Sequence, residues 1–186
     1  MTAITEARIL ILATDGFEQA ELEVPRTELS RRGATVHLAT PDGGDIRGWN
    51  RTDWGDTVSA DRKLSDVRAE DYDAILLPGG QINPDLLRVN ADAVALVRSF
   101  FETGRVVAAI CHAPWLLIEA GIADGRRLTS YPSVRTDLVN AGAEWVDEPA
   151  VADNGVVTSR RPDDLEAFVD KIVEEIGEGR HPRAAA

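Results

Sequence analysis

Three short apolar runs without polar alternation constrain the fold of this chain more than any other feature. They read ILIL from residue 9, AILL from residue 74 and VVAAI from residue 106. Strands that are apolar on both faces are typical of parallel sheets covered by helices on both sides. Segments with helical periodicity, ending at Gly33 and Gly104, lie between these runs. The pattern therefore predicts an α/β protein, a doubly wound sandwich with a mainly parallel sheet.

The rest of the chain shows no linker or repeat that would divide it. We expect one domain over residues 1–186, with a core at about 7–176 and a flexible tail at 177–186. The turn-rich stretch at 41–64 predicts short strands or a hairpin. Pro25 interrupts the first helical segment and should kink or split it, because proline lacks an N–H and clashes one turn back.

Composition and charge exclude several classes of protein. The formal net charge is −12, which argues against a nucleic-acid-binding surface, since phosphate binding depends on clustered Lys and Arg. No apolar run approaches the roughly 20 residues that span a bilayer, so no membrane partner is expected. Cys111 is the only cysteine, which excludes an internal disulfide and favours a reduced, cytoplasmic setting.

Chemically distinctive residues follow the three apolar strands, where ligand sites form in open parallel sheets. Glu18 follows the first strand, Gly79 and Gly80 the second, and Cys111 and His112 the third. If these strands are neighbours, a carboxyl group, loop amides and a thiol converge at one edge of the sheet. Spacing alone does not establish that they are neighbours.

The position of Cys111 supports a functional interpretation of the thiol. The residue stands at a turn from strand to helix, with Pro114 near the first helical position. Helix N-terminal amides stabilise a thiolate, which is the reactive form of cysteine, and a sharp turn would present the sulfur. The alternative is a small buried apolar residue, since free cysteine is among the most buried residue types.

The other candidates each keep a plainer alternative. His112 could act as a base for Cys111, or could only pack locally, because adjacent side chains usually diverge. Glu18 could act chemically, or could only favour the start of a helix. Gly79 and Gly80 could donate N–H groups to an oxyanion, or could only form a turn. A single cysteine and no clustered histidines predict neither a bound metal nor another cofactor.

Five ordered blocks of sequence resemble one known family. They begin at residues 15, 74, 109, 129 and 156 and read DGFEQAEL, AILLPGG, AICHAPWLL, TSYPSVRTDLVNAGAEWVD and VVTSRRPDDLEAF. In order and spacing they resemble the PfpI family of intracellular cysteine peptidase-like proteins. That family belongs to the superfamily of the parkinsonism-associated deglycase. The resemblance implies a flavodoxin-like three-layer sandwich, with Cys111 at a nucleophile elbow.

The resemblance also implies roles for individual residues. Cys111 matches the family nucleophile, and Glu18 is matched to the glutamate that hydrogen-bonds its sulfur, often as a protonated acid. Gly80 and its neighbours match the loop whose amides face the nucleophile, and Tyr131 matches a tyrosine near the same pocket.

Two further positions depart from the family pattern. In peptidase-like members, an acid from a neighbouring subunit orients the histidine that corresponds to His112. Here the matching stretch is GGQINPD, one residue longer and with Asp85 in place of glutamate. Ala113 replaces the glycine that commonly follows the Cys-His pair and adds a methyl group beside the nucleophile. A triad of Cys111, His112 and Asp85 would therefore differ from that of the family.

The sequence supports two classes of function. The first is a cofactor-independent cysteine hydrolase, either an intracellular peptidase or a deglycase or glyoxalase, acting on damaged proteins or glyoxal-derived carbonyls in stress defence. Its substrates would be small carbonyls, peptides or glycated proteins. The second is a non-catalytic redox sensor or protective chaperone that uses oxidation of Cys111. The resemblance, together with Trp49 and Trp54 in the turn-rich stretch, suggests a homo-oligomer, at least a dimer.

Overall fold

A computed structural model of the chain describes residues 2–182, and these form an α/β sandwich. Its strands are β1 Arg8–Leu12, β2 Thr35–Thr40, β3 Ile46–Asn50, β4 Asp53–Val58, β5 Arg62–Lys63, β6 Ala74–Leu77, β7 Val106–Ile110, β8 Arg127–Leu128, β9 Glu144–Trp145, β10 Ala150–Asp153 and β11 Val156–Ser159. Its α-helices are α1 Gln19–Arg31, α2 Ile82–Arg88, α3 Ala91–Glu102, α4 Pro114–Glu119, α5 Arg135–Asn140 and α6 Leu165–Glu178. Within this described range, no helix combines the length and apolar character needed to cross a membrane.

The main sheet of the described residues has seven strands in the order β10-β11-β7-β6-β1-β2-β5. All of its neighbouring pairs are parallel except β10 with β11. The three apolar runs are β1, β6 and β7, and β6 lies between the other two. Their carboxyl ends are therefore adjacent, which brings together the three chemically distinctive segments.

Alternate residues of the central strands face two separate apolar layers. Ile9 and Ile11 of β1 pack under α1 and α6, whereas Leu10 and Leu12 pack under α2, α3, α4 and α5. All four side chains are fully buried. This burial on both faces explains why the strands lack polar alternation, and it confirms the three-layer sandwich.

The smaller elements of the structure confirm some of the predictions made from the sequence and correct others. The turn-rich stretch contains an antiparallel hairpin of β3 and β4, as expected. Pro25 does not split helix α1, which continues from Gln19 to Arg31. The proline side chain is buried. The segment after Gly80 forms the short helix α2, which carries Asp85.

The segment expected to be a flexible tail is partly packed. Helix α6 continues to Glu178, and the side chain of His181 is buried with only 5 % exposure. The His181 N–H donates to the carbonyl of Gly104 at 2.8 Å, and its Nε2 lies 3.0 Å from the carbonyl of Glu175. These contacts hold the segment up to His181 against the rest of the domain, whereas residues 183–186 of the expected tail lie outside the described residues.

Substitution His181→Ala should lower the free energy of unfolding by about 1 to 3 kcal/mol, because the Glu175 carbonyl loses its partner in a buried position. Urea unfolding followed by tryptophan fluorescence measures the change. Glu178→Ala, which truncates an exposed side chain in the same segment, is the control and should have little effect. Equal stabilities of the His181→Ala variant and the unmodified protein would contradict the packed arrangement.

Candidate active site

Cys111 occupies a sharp turn between β7 and α4. Its φ is +64°, in the left-handed region that residues other than glycine seldom adopt. The Cys111 N–H donates to the Ser159 carbonyl at 3.0 Å, and the Cys111 carbonyl accepts from the N–H of Tyr131 at 2.8 Å. The turn is thus fixed on both sides, in the geometry of the nucleophile elbow that the sequence predicts. The residue is only 6 % exposed, so access to the sulfur is narrow.

The carboxyl group beside the sulfur belongs to Glu21, in the first turn of α1. Its side chain is fully buried, and its Oε2 accepts the Gly79 N–H at 2.9 Å. Its Oε1 has no nitrogen or oxygen partner among residues 2–182, and the carboxyl group interacts with the thiol of Cys111. A Cβ added at Gly79 would lie 2.6 Å from both Glu21 Oε2 and Cys111 Cβ, so only glycine fits between them.

Burial determines the protonation of this pair. It raises the pKa of the Glu21 carboxyl from 4.5 to about 8, more than the Gly79 N–H lowers it. Burial also raises the pKa of the Cys111 thiol, and an ionised Glu21 would raise it further. We conclude that both groups are protonated at neutral pH. Desolvation outweighs the backbone N–H groups around the sulfur, so the pKa of the thiol lies above its ordinary value and not below it as the sequence suggests.

Two backbone N–H groups still face the sulfur, those of Gly80 and His112, and each lowers the pKa of the thiol. Gly80 has a φ of +75°, and a Cβ there would lie 2.4 Å from the Gly16 carbonyl. The N–H of Gly79 is occupied by Glu21, so it is not free for an oxyanion. Of the two glycines that the sequence proposed as donors, only Gly80 has its N–H beside the nucleophile.

His112 contacts the sulfur directly. Its Nδ1 lies 3.1 Å from Cys111 Sγ, and its Nε2 lies 3.1 Å from Ser133 Oγ. The ring stacks on Tyr131 with centroids 4.8 Å apart, and its centroid lies 5.3 Å from that of Trp115. Burial lowers the pKa of His112, which favours the neutral imidazole. The ring of His112 thus contacts both the sulfur and Tyr131, and a role for His112 as the base stays a prediction.

The assignment of Glu18 to the sulfur is corrected by the structure. Glu18 precedes the first residue of α1, and it pairs with Trp49 of β3 through an isolated β-bridge. Its pKa is raised by partial burial, while the neighbouring Arg51 lowers it. Glu21 lies one helical turn further along and is the residue that points inward. Sequence reasoning missed Glu21, as it missed Ser133.

Two other predicted residues lie away from the sulfur. Asp85, on α2, lines a surface groove of about 340 Å³ together with Leu86 and Trp115, and no contact joins it to His112 within the described chain. A contribution of Asp85 from a second subunit stays a prediction. Ala113 is wholly buried in the layer opposite to that of Cys111, so its methyl group does not line the site.

A cluster with metal-binding residue types lies at the other end of the sheet. Glu175, Glu178 and His181 place one donor atom each within 4.8 Å of one another. His181 Nε2 already faces the Glu175 carbonyl, and Glu175 Oε2 accepts the N–H of Gly155 at 2.7 Å. These contacts make the cluster part of the packing of the C-terminal segment.

The elbow cysteine, the buried acid and the adjacent histidine define a class of protein, the α/β sandwich proteins with a cysteine at a nucleophile elbow. The model of the DJ-1/PfpI family matches residues 7–175, so this chain belongs to the DJ-1/PfpI family.

Several relatives share most of the chain. A protein of Thermococcus kodakarensis named deglycase TK1284 is 42 % identical over 166 residues, covering 89 % of this chain and 97 % of the relative. A Bacillus subtilis protein named putative cysteine protease YraA is 40 % identical over 162 residues, covering 87 % and 93 %. The crystal structure of Drosophila melanogaster DJ-1beta is similar with a TM-score of 0.82 and 31 % identity, covering 92 % of this chain and 94 % of that one.

The raised pKa of Glu21 predicts a pH-dependent stability. Because the folded pKa is about 8 and the unfolded one near 4.5, its contribution is fully present below pH 4.5 and is lost as the pH rises towards 8. Glu21→Gln mimics the protonated acid and has no such loss. The unfolding free energy of the unmodified protein, relative to that of Glu21→Gln, should fall by about 1.4 kcal/mol per pH unit in this window.

Urea unfolding at a series of pH values between 4 and 9 measures this difference. Parallel stability profiles for the two proteins would contradict the assignment of a protonated, buried Glu21.

Proposed function

We propose that this protein is a cofactor-independent cysteine hydrolase of the deglycase or glyoxalase type, which acts on glyoxal-derived carbonyls and serves in stress defence. The observation that carries the proposal is the buried carboxyl of Glu21, held protonated by its burial, which interacts with the Cys111 thiol. A neutral acid beside a nucleophile can donate a proton to a carbonyl oxygen and then act as a base. The deglycase name of the Thermococcus kodakarensis relative supports the same class.

For methylglyoxal, the reaction begins with addition to the aldehyde. Cys111 Sγ forms a bond to the aldehyde carbon, its proton passes to His112, and Glu21 protonates the carbonyl oxygen. The product is a hemithioacetal. The Glu21 carboxylate then removes the proton from the carbon attached to sulfur and returns it to the neighbouring carbon, while the hydroxyl proton moves to the second oxygen.

The result of this transfer is a thioester of lactate on Cys111. Water cleaves the thioester, releases lactate and restores the thiol. The net change is methylglyoxal plus water to lactate, so no external oxidant or reductant is consumed. When the glyoxal is first bound to an amine as a carbinolamine, the amine leaves as the sulfur adds. Glycated proteins are then substrates as well as the free carbonyl.

The narrow access to the sulfur favours small carbonyl groups over extended peptides. Cys111 is almost fully buried, and the rings of Tyr131 and Trp115 flank His112 at the entrance. The groove lined by Ile82, Leu86 and Trp115 shares Trp115 with the surroundings of His112, and in this proposal it receives the carrier of a glycated group. Ile82 and Leu86 are exposed apolar residues, and their exposure suits an assembly of at least two copies in which Asp85 approaches a neighbouring site.

Methylglyoxal consumption should be lost in Cys111→Ser and should fall about 10²- to 10⁴-fold in Glu21→Gln, the range expected for removing a general acid–base. Glu18→Gln is the matched control, since it makes the same change one turn away and should retain most of the activity. Lactate release measured at pH 7 checks all three variants. Unchanged methylglyoxal turnover in Glu21→Gln would contradict the mechanism. A loss of turnover in Glu18→Gln as large as that in Glu21→Gln would also contradict it.

A second candidate is a redox sensor, which the unpartnered Oε1 of Glu21 favours. An oxygen added to Cys111 Sγ would lie near this protonated carboxyl and near the N–H of Gly80, so both could hydrogen-bond a sulfinate. With Cys111 as the only cysteine, no disulfide within the chain can resolve the oxidised form.

Because burial keeps the thiol protonated, Cys111 should resist mild peroxide while the protein consumes methylglyoxal. Mass spectrometry after peroxide treatment measures oxidation, and a gain of about 32 Da on Cys111 marks the sulfinic acid. The Cys111→Ser variant controls for oxidation elsewhere. Rapid conversion of Cys111 to the sulfinic acid without any turnover of methylglyoxal would contradict the hydrolase and support the redox sensor.

A further inference from the structure

The hydroxyl group of Ser133 is placed to act on the nucleophile through His112. Imidazole nitrogens Nδ1 and Nε2 lie 3.1 Å from Cys111 Sγ and from Ser133 Oγ respectively, so the ring bridges the thiol and the hydroxyl. No carboxylate of residues 2–182 contacts either nitrogen of this ring; the nearby Asp137 carboxylate accepts the indole N–H of Trp115 at 2.7 Å instead. Ser133 thus holds the position at which an acid would complete a catalytic triad.

The backbone around Ser133 is tied to the nucleophile turn. Tyr131 donates its N–H to the Cys111 carbonyl, and Val134 donates its N–H to the Tyr131 carbonyl at 3.0 Å. Val134 is fully buried, and Pro132 restricts the backbone between the two. The hydroxyl of Ser133 is therefore held at a fixed distance from the elbow, although it lies at the surface.

The direction of the hydrogen bond between His112 Nε2 and Ser133 Oγ determines whether Nδ1 can accept the thiol proton of Cys111. If Ser133 Oγ accepts from an Nε2–H, Nδ1 carries the lone pair and can take the proton of the Cys111 thiol. When Nδ1 becomes protonated, Nε2–H continues to donate to the same oxygen. If the hydroxyl donates to Nε2 instead, Nδ1 already carries a proton and cannot act as a base.

We propose that Ser133 is a positioning residue that accepts a hydrogen bond from the Nε2–H of His112. This bond keeps the lone pair of His112 Nδ1 directed at the sulfur of Cys111. The role rests on the proposed function, since it supplies the base of that reaction. In this arrangement, the hydroxyl group of Ser133 performs the task that an acid from a neighbouring subunit would otherwise perform. A hydroxyl adds no negative charge, so His112 stays neutral until it receives the thiol proton.

The test is the ¹⁵N NMR spectrum of the histidine rings at pH 8, which reports which nitrogen carries the proton without requiring any substrate. His112→Gln identifies the signals of His112 among those of the three histidines. The unmodified protein should show mainly Nε2–H, Ser133→Ala should show a mixture of both tautomers, and Ser133→Thr, which keeps the hydroxyl, should resemble the unmodified protein. Ser65→Ala, which removes an exposed hydroxyl bonded to Asp66, is the matched control.

A second readout is the rate at which iodoacetamide alkylates Cys111. Ser133→Ala should lower this rate about tenfold, and Ser133→Thr should restore it. The proposal is overturned if the tautomer is Nδ1–H in the unmodified protein, or if it is the same in Ser133→Ala. A tautomer that shifts as expected in a protein without methylglyoxal turnover would reject the proposed function and keep the role of Ser133. Methylglyoxal turnover together with an unchanged tautomer in Ser133→Ala would reject the role of Ser133 and keep the proposed function.

Discussion

The burial of the Glu21 carboxyl is the constraint on which the rest of the site depends. An ionised carboxylate in this position would lose its hydration, and the N–H groups of Gly79 and Gly80 do not offset that loss, so the acid is held in its neutral form. Its bond to Gly79 joins helix α1 to the loop after β6 and leaves no space for a Cβ at that glycine. The protonated acid therefore lies between two strand ends and beside the thiol.

A protonated acid beside a protonated thiol gives the site a neutral resting state. The turn at Cys111 places the residue at a positive φ, a conformation that costs a non-glycine residue about 1 to 2 kcal/mol. Bonds to Ser159 and Tyr131 compensate for this cost by fixing the backbone on both sides. In the proposed reaction, the thiolate therefore forms only when substrate arrives and His112 takes the proton. This order differs from that of a cysteine activated in advance by the end of a helix.

The sequence predicts the sandwich and the convergence of three strand ends because both depend on apolar runs that are easy to recognise. It does not distinguish Glu18 from Glu21. Glu18 is spaced four residues before the buried Leu22, and Glu21 is spaced four before the buried Pro25, so each fits an apolar helical face. Only the start of α1 at Gln19 decides between them, and helix ends are the least predictable part of a pattern. The contact of His112 with Ser133 joins residues far apart in sequence and has no local signal.

The neutral state of the site also bears on the kind of carbonyl that it can attack. An amide is a weak electrophile and calls for a preformed thiolate and an acid for the leaving amine. Here burial raises the pKa of the Cys111 thiol, so no thiolate is preformed. An aldehyde adds a thiol readily, and its further conversion needs a proton moved between adjacent carbons. In the proposed function, the Glu21 carboxyl, whose pKa burial raises to about 8, performs that transfer, so its burial supports the proposed glyoxal chemistry over peptide cleavage.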